Sequence, residues 1–374
     1  MRVLFFTPYG GRSGSETVLW HFLKGTDPAE LQGALVCIEG GDLPARMPPH
    51  IPTYVAAPPT TYGRVLSKAR RFALGRDRLD PVTARAHAAL QPDLWYLNTV
   101  IMPDVARMAI RLGIPYVLHA HEMPYIWVMV SGDDIEMMVA NASLVIGCST
   151  PVVECLERFG ARNVVLQHSM VDTRAVAPSP EGPRAARRAL GIPDDAFVWA
   201  MSGRFDYRKG PDLFFEAAQH FAGENAHFLW IGHIPNEGFA RYMSKRIATE
   251  LPHAHVLDHL ADGYYDHLAV CDGFVLTSRE DPFPLVMLEA AALGKPLVSF
   301  PSGGVAEFLQ PEMGTVVDSW NVRDLVAAMR TYMGANPPFD PSAARARAEA
   351  FSVEAQVPKW ARLMRGSFPQ FQRP

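Results

Sequence analysis

Twelve short apolar runs recur along the chain, and they constrain its fold more than any other feature. The first half holds Val3–Thr7, Ala34–Ile38, Leu94–Asn98, Tyr116–His121, Leu144–Cys148 and Val164–His168. The second half holds Phe197–Ser202, Phe228–Gly232, His255–Leu257, Phe274–Thr277, Leu297–Phe300 and Thr315–Val317. The runs are rich in β-branched residues and do not alternate with polar ones. Strands of that kind are buried on both faces, as in a parallel sheet, whereas a sheet with one wet face shows a period of two. Helix-like segments separate the runs, so the pattern predicts two doubly wound α/β domains in succession.

Composition narrows the function. With 48% hydrophobic and 20% charged residues the chain is not disordered, collagen-like or a coiled coil, and 374 residues suit two domains of ~100–200 residues. Its 35 basic and 39 acidic side chains leave a net charge of -4, so no global positive field exists to hold a nucleic-acid backbone, and no nucleic-acid partner is expected. Cys37, Cys148, Cys155 and Cys271 are too scattered for a disulfide framework or a metal knuckle and read as reduced thiols. No run approaches the ~18 apolar residues of a spanning helix, and the apolar stretch after Met1-Arg2 is too short for a signal peptide. A cytoplasmic protein is the expectation.

The organisation predicted from these signals is a Rossmann-like domain over 1–171, a linker over 172–195, a second Rossmann-like domain over 196–350 and a C-terminal helix over 351–374. Ala177-Pro178-Ser179-Pro180-Glu181-Gly182-Pro183 and Gly191-Ile192-Pro193 punctuate the linker. In the last helix Val357, Trp360, Leu363 and Met364 form an apolar face that suits either domain, a return to the first included.

Two loops carry candidate chemistry. After the first run comes Tyr9-Gly10-Gly11-Arg12-Ser13-Gly14-Ser15-Glu16, where the amides of Gly11, Gly14 and Ser15 suit an anion at a positive helix end. The dinucleotide fingerprint fails because Tyr9 stands where a glycine is required. With Glu39 as a ribose-binding acid, an NAD-dependent dehydrogenase stays an alternative, and a plain tight turn is another. In the second half, Met201 to Gly210 places Arg204 and Lys209 at a strand end, two cations suited to a diphosphate. The run Thr277 to Ala291 sets Asp281 in a loop, Pro284 in a first helical turn and Glu289 farther along that helix. The amides of Leu285 and Val286 then lie between two carboxylates. This suits a nucleotide-sugar: one acid for sugar hydroxyls, amides and cations for the diphosphate, one acid for the ribose.

Taken with Gly203-Arg204, Lys209-Gly210, Leu293-Gly294-Lys295-Pro296-Leu297-Val298 and Ser302-Gly303-Gly304-Val305-Ala306-Glu307, the sequence resembles the retaining glycosyltransferases of family 4. The likeness covers about a third of the chain, from Phe197 to Asp318; the first half adds a weaker one in Gly14-Ser15-Glu16, His119, His121 and Cys148-Ser149. It implies the α/β GT-B fold, two facing Rossmann-like, doubly wound domains with an interdomain cleft, the first for the acceptor and the second for the donor. At one point the chain departs: the family's E-x7-E reads Asp281 and Glu289, with Glu280 just before, so either Asp281 or Glu280 fills the first acidic position.

By the same resemblance the reaction moves a sugar from a UDP- or GDP-type donor to an acceptor hydroxyl with retention, with no metal and no further cofactor. The acceptor is a cell-envelope glycan, a lipid-linked molecule or a small molecule. Arg204, Lys209, His121 and Asp281 are the catalytic candidates. Donor contacts fall to Gly11, Gly14, Ser15, Gly203, Arg204, Lys209, Gly232, Glu280, Asp281, Phe283, Pro284, Leu285, Val286 and Glu289, and acceptor contacts to Asn98, His119 and Glu122. Loops near Gly232–Pro235 and Leu257–Tyr265 are candidates for the base. His253, His255, His259 and His267 lack a ligand pattern and are not read as metal ligands. A basic amphipathic stretch, Tyr62–Leu79, with Arg64, Lys68, Arg70, Arg71, Arg76 and Arg78, suits an anionic membrane surface on the inner face or a solvated helix face. An epimerase-like sugar-nucleotide enzyme and a catalytically silent binder remain alternatives.

Overall fold

The computed structural model describes residues 1–55, 79–260 and 262–371. The chain forms two compact units, Met1–Ser169 with Val353–Pro374, and Met170–Ser352. Of the basic stretch Tyr62–Leu79, suited to a membrane surface or a solvated helix face, residues 62–78 lie outside the described residues. No helix among the described residues is long and apolar enough to cross a membrane.

Among the described residues the first unit holds seven strands: β1 (Arg2–Tyr9), β2 (Gln32–Glu39), β3 (Thr53–Val55), β4 (Leu94–Leu97), β5 (Tyr116–Ala120), β6 (Leu144–Gly147) and β7 (Val164–Leu166). They form one parallel sheet in the order β3-β2-β1-β4-β5-β6-β7. The second unit holds β8 (Phe197–Ser202), β9 (Ala226–Ile231), β10 (Ala254–Leu257), β11 (Gly273–Leu276), β12 (Leu297–Ser299) and β13 (Gly314–Val316). Its order, β10-β9-β8-β11-β12-β13, repeats the first six places of the other sheet, again all parallel. All twelve apolar runs are strands. Only β3 escaped the pattern: three partly exposed edge residues offer no continuous apolar run.

Each core is aromatic. In the first, Trp360 of the C-terminal helix Val353–Ser367 stacks on Phe22 at 4.5 Å, and its indole N–H donates to Tyr96 Oη at 3.1 Å. That helix therefore belongs to the first unit through packing and a buried hydrogen bond. In the second, Trp230 is ringed by Phe205, Phe214 and Phe215, and Trp199 lies so close over Gly273 that a Cβ there would come within 2.4 Å of the ring.

The stretch 172–195, read as a linker, is part of the second unit and carries a helix, Gly182–Ala189. Pro183 opens that helix at a position where a missing N–H costs nothing, so residues that look like punctuation start an element here. Arg187 then fastens the helix to the strand start by donating to the carbonyls of Pro193, at 3.0 Å, and Ala196.

In a sheet of this order the crossovers run in opposite directions from the central pair, leaving a crevice at the carboxyl ends where ligands bind. The central pairs are β1 with β4 and β8 with β11. The loops that follow them are the loops the sequence singled out.

Candidate active site

In the second unit the loop after β8 passes through Gly203 to the turn Tyr207–Lys209 and the helix Pro211–Gln219. Gly210 has φ +71°, and a Cβ there would lie 2.2 Å from the Thr277 carbonyl oxygen. Glycine thus lets this loop press against the end of β11. Thr277 Oγ1 donates to the Gly210 carbonyl at 3.0 Å, and the Arg279 amide donates to the Arg208 carbonyl at 2.8 Å. The two loops are sewn together, which fixes Lys209 beside Asp281.

Lys209 Nζ lies 2.5 Å from Asp281 Oδ2; the carboxylate is buried and the lysine mostly so. Burial pulls the Lys209 pKa below its ordinary value, while the carboxylate of Asp281 opposes that shift. Ser278 Oγ donates to the same Asp281 oxygen at 3.0 Å. Asp281, rather than Glu280, is therefore the acid that meets the lysine; the Glu280 carbonyl accepts from Arg208 at 3.0 Å. Arg204 is half exposed, with its guanidinium 3.0 Å from Glu237 and 3.5 Å from Asp206.

The helix Leu285–Ala292 begins after Pro284, without a side-chain cap and without an acid in its first turn. Its positive end, with the partly exposed Leu285 and Val286, is open to an anion. Phe283, expected among the donor contacts, has a different place: its ring is buried, 5.5 Å from Phe351 and 6.5 Å from Phe308. An aromatic between two prolines here anchors the loop to the core rather than facing a ligand. Gly203 and Gly232 end β8 and β9 back to back, and a Cβ on Gly232 would lie 2.1 Å from the Gly203 oxygen.

Glu289 is held by two residues of the segment Leu257–Tyr265, a candidate for the base. Tyr264 donates to its Oε2 at 2.9 Å and Tyr265 to its Oε1 at 3.2 Å. Burial pushes the Glu289 pKa up to about 7, with the two tyrosine hydroxyls pulling the other way. Two adjacent tyrosines before a strand were the only hint in the sequence. The same side of the unit carries Asp258, which accepts from the amides of Ile234 at 3.0 Å and His259 at 2.6 Å; these bonds hold its pKa below the usual range. They tie together the two loops read as candidates for the base.

In the first unit the helix Gly14–Gly25 starts after Ser13. Glu16 reaches back from its first turn to Ser13 Oγ and to Thr7 Oγ1, the latter at 3.1 Å, and is buried. Its carboxylate already complements the positive helix end. The loop with Gly11, Gly14 and Ser15 therefore offers backbone donors to a phosphate, and its one cation, Arg12, is paired with Asp42. A Cβ on Gly11 would lie 2.0 Å from the exposed Tyr9 ring, so a side chain there would displace that ring.

Asn98 joins this loop to β5. Its amide donates to the Ser15 carbonyl at 3.1 Å, and its Oδ1 lies 3.2 Å from His121 Nε2. Burial drives the His121 pKa down to about 3, so the imidazole is neutral with its proton on Nε2 toward Asn98. Glu122 accepts from Thr99 Oγ1, from the His121 amide at 3.1 Å and from the Val100 amide at 3.4 Å. Burial nevertheless raises its pKa to about 7. His119 is a layer deeper: it is buried, its ring lies 3.9 Å from His121, and its Nδ1 is 2.7 Å from Tyr96 Oη, which in turn takes the Trp360 N–H. It supports His121 rather than lining a surface. Among the described residues no group of three or more His, Cys, Asp or Glu side chains is arranged to hold a metal.

The fold and the two loop sites define a GT-B type architecture, two Rossmann-like units each with polar residues at its switch point. Comparison with known proteins gives the relatives. Residues 184–350 match the family model described as glycosyl transferases group 1. The chain is 29% identical over 237 residues to the D-inositol 3-phosphate glycosyltransferase of Geodermatophilus obscurus, covering 59% of this chain and 52% of that one. It is 24% identical over 265 residues to the GDP-mannose-dependent monoacylated alpha-(1-6)-phosphatidylinositol monomannoside mannosyltransferase of Corynebacterium glutamicum, covering 66% and 69% of the two chains. It spans about half the length of the inositol-phosphate relatives it matches, 52% and 57% in two of them. Among solved structures it is similar to Anabaena HepE in complex with UDP and glucose, with a TM-score of 0.80, 23% identity and coverage of 97% of this chain and 99% of that one.

Proposed function

We propose that the protein is a retaining, metal-independent glycosyltransferase of family 4 that moves a sugar from a UDP- or GDP-sugar to an acceptor hydroxyl. The observation that carries this reading is the second switch point, where Lys209 from the loop after β8 pairs with Asp281, and Asp281 leads into an uncapped helix end and Glu289. A nucleotide-sugar asks for this set: cation and amides for the diphosphate, one carboxylate for sugar hydroxyls, another for the ribose.

In the reaction the bond between the sugar's anomeric carbon and the diphosphate oxygen breaks, and the acceptor oxygen bonds to that carbon from the same face. The acceptor proton passes to the departing phosphate oxygen. Negative charge grows on the diphosphate, so Lys209, Arg204 and the Leu285 and Val286 amides stabilise the transition state more than the ground state. For Lys209 this means giving up Asp281, which turns to the sugar hydroxyls as the ammonium turns to phosphate. Arg204 exchanges Glu237 for the diphosphate. Within the first unit, His121, neutral and held by Asn98, offers a ring nitrogen to a sugar hydroxyl. Glu122 and Asn98 shape the acceptor side, and the Gly11, Gly14 and Ser15 loop contributes backbone contacts.

HepE is described with UDP, and the Corynebacterium relative is named for GDP-mannose, so both donor types enter the test. Purified protein is incubated with UDP- and GDP-sugars, with and without polyol-phosphate, lipid-linked and glycan acceptors, and nucleoside diphosphate release is followed. Slow release from one donor, accelerated by one acceptor class, is expected. Binding without any release would identify a silent binder, and affinity for NAD alone would favour the dehydrogenase.

A further inference from the structure

We propose that Tyr264 and Tyr265 are positioning residues that orient the Glu289 carboxylate toward a vicinal diol of the donor, and that the Ser179–Gly182 segment braces the helix carrying them. The inference deepens the donor-site reading above and rests on it.

Each oxygen of Glu289 receives one tyrosine hydroxyl, at 2.9 Å and 3.2 Å. A carboxylate has about four acceptor positions, so one remains on each oxygen, the arrangement a pair of adjacent hydroxyls needs. Tyr264 Oη also lies 2.9 Å from Ser202 Oγ, at the last residue of β8. A hydroxyl has one proton. Tyr264 gives its proton to the carboxylate, which can only accept, so Ser202 gives its own to the tyrosine oxygen. The chain Ser202 to Tyr264 to Glu289 thus references the carboxylate to the central strand of the sheet.

The helix Tyr264–Leu268 has five residues, too few to hold two rings in place unaided. Asp266 anchors it by accepting from the Ser179 amide at 2.6 Å and from Ser179 Oγ at 3.1 Å. Gly182 stands against the same carboxyl group, and a Cβ there would come within 2.1 Å of Asp266 Cγ. The segment that reads as a linker is therefore a buttress for the tyrosine pair.

The groups facing Glu289 are Tyr264 and Tyr265, and Asp172 acts on Tyr265. Both hydroxyls favour the ionised carboxylate, whose ordinary pKa burial raises to about 7. Removing one hydroxyl moves the Glu289 titration to higher pH and frees the carboxylate to rotate.

The test is calorimetric titration of UDP, GDP and their 2′-deoxy forms into the full chain between about pH 5.5 and 8.5, for wild type, Glu289→Gln, Tyr264→Phe and Gly182→Ala. The diphosphate's own titration is common to all four, so the ratio to Glu289→Gln isolates the carboxylate. The affinity of wild type for one ribonucleotide is expected to fall as pH drops through about 7, relative to Glu289→Gln. Tyr264→Phe weakens that binding about fivefold at neutral pH and moves the midpoint upward, with turnover at saturating donor within about twofold. Gly182→Ala shifts it in the same direction by less. A merely structural tyrosine would lower the melting temperature and turnover with the midpoint unmoved, which overturns the inference. So does a pH profile of Glu289→Gln identical to that of wild type. Failure of wild type to bind either diphosphate overturns the donor-site reading itself.

Discussion

The two units share a strand order and differ in the charge set at the switch point. In the first, Glu16 is buried and held by Thr7 and Ser13, the neutral His121 pairs with Asn98, Thr99 pairs with Glu122, and Arg12 pairs with Asp42. In the second, a mostly buried Lys209 lies against Asp281, Arg204 is half exposed, and a helix end stands without an acid in its first turn. Among the described residues, the second switch point is the one that sets a lysine beside an uncapped helix end, as a diphosphate asks. Topology fixes where ligands go, and the side chains at that place decide which ligand.

The largest effect separates the builds of the units. Trp360→Ala removes a buried ring stacked on Phe22 and the donor to Tyr96, and is expected to destabilise the first unit by ~3–5 kcal/mol. Denaturant unfolding should then show an early transition, with that of the second unit, followed by its own tryptophans, left in place. A single unchanged transition would mean that the helix contributes little.

Next comes the lysine on which the contrast turns. Lys209→Ala is expected to lower kcat ~10²–10³-fold while donor affinity changes far less. Steady-state kinetics decide it: unchanged turnover would remove Lys209 from the mechanism. Glu289→Ala should act the other way, raising the donor KM about 10–100-fold at nearly constant kcat. A loss confined to kcat would place Glu289 at the reacting centre instead of at the ribose.

The smallest effect belongs to Glu122. Its pKa is raised from 4.5 to about 7, so between those values the native chain holds a proton that the unfolded chain releases. Stability then falls as pH rises through that window and is level above it. Glu122→Gln should reduce that slope, so that from about pH 5 to about pH 8 the wild type loses a few degrees of melting temperature relative to the variant. An equal slope would show that its carboxyl ionises freely in the folded protein.

Much of this was legible in the sequence because parallel strands buried on both faces leave unbroken apolar runs, and because Lys209, Asp281 and Glu289 sit at fixed offsets from strand ends. Edge strand β3 left no such run. The Glu289 tyrosines were invisible as partners, since a contact between residues 264 and 289 depends on which loops the sheet order brings together. Phe283 and His119 looked like site residues by position in the chain, and only packing against Phe351 and Tyr96 shows that they face inward. The linker misled because Pro and Gly start helices as readily as they end them.

The contrast between the two switch points is tested most directly by hydrogen–deuterium exchange of the full chain with and without UDP or GDP. Protection is expected in the loop 203–210, in the loop-helix segment 277–289 and around Tyr264, with the first unit's loop 9–15 and the turns at 98–102 and 121–123 changing less. Protection confined to the first unit, or elicited by NAD and by neither diphosphate, would contradict it.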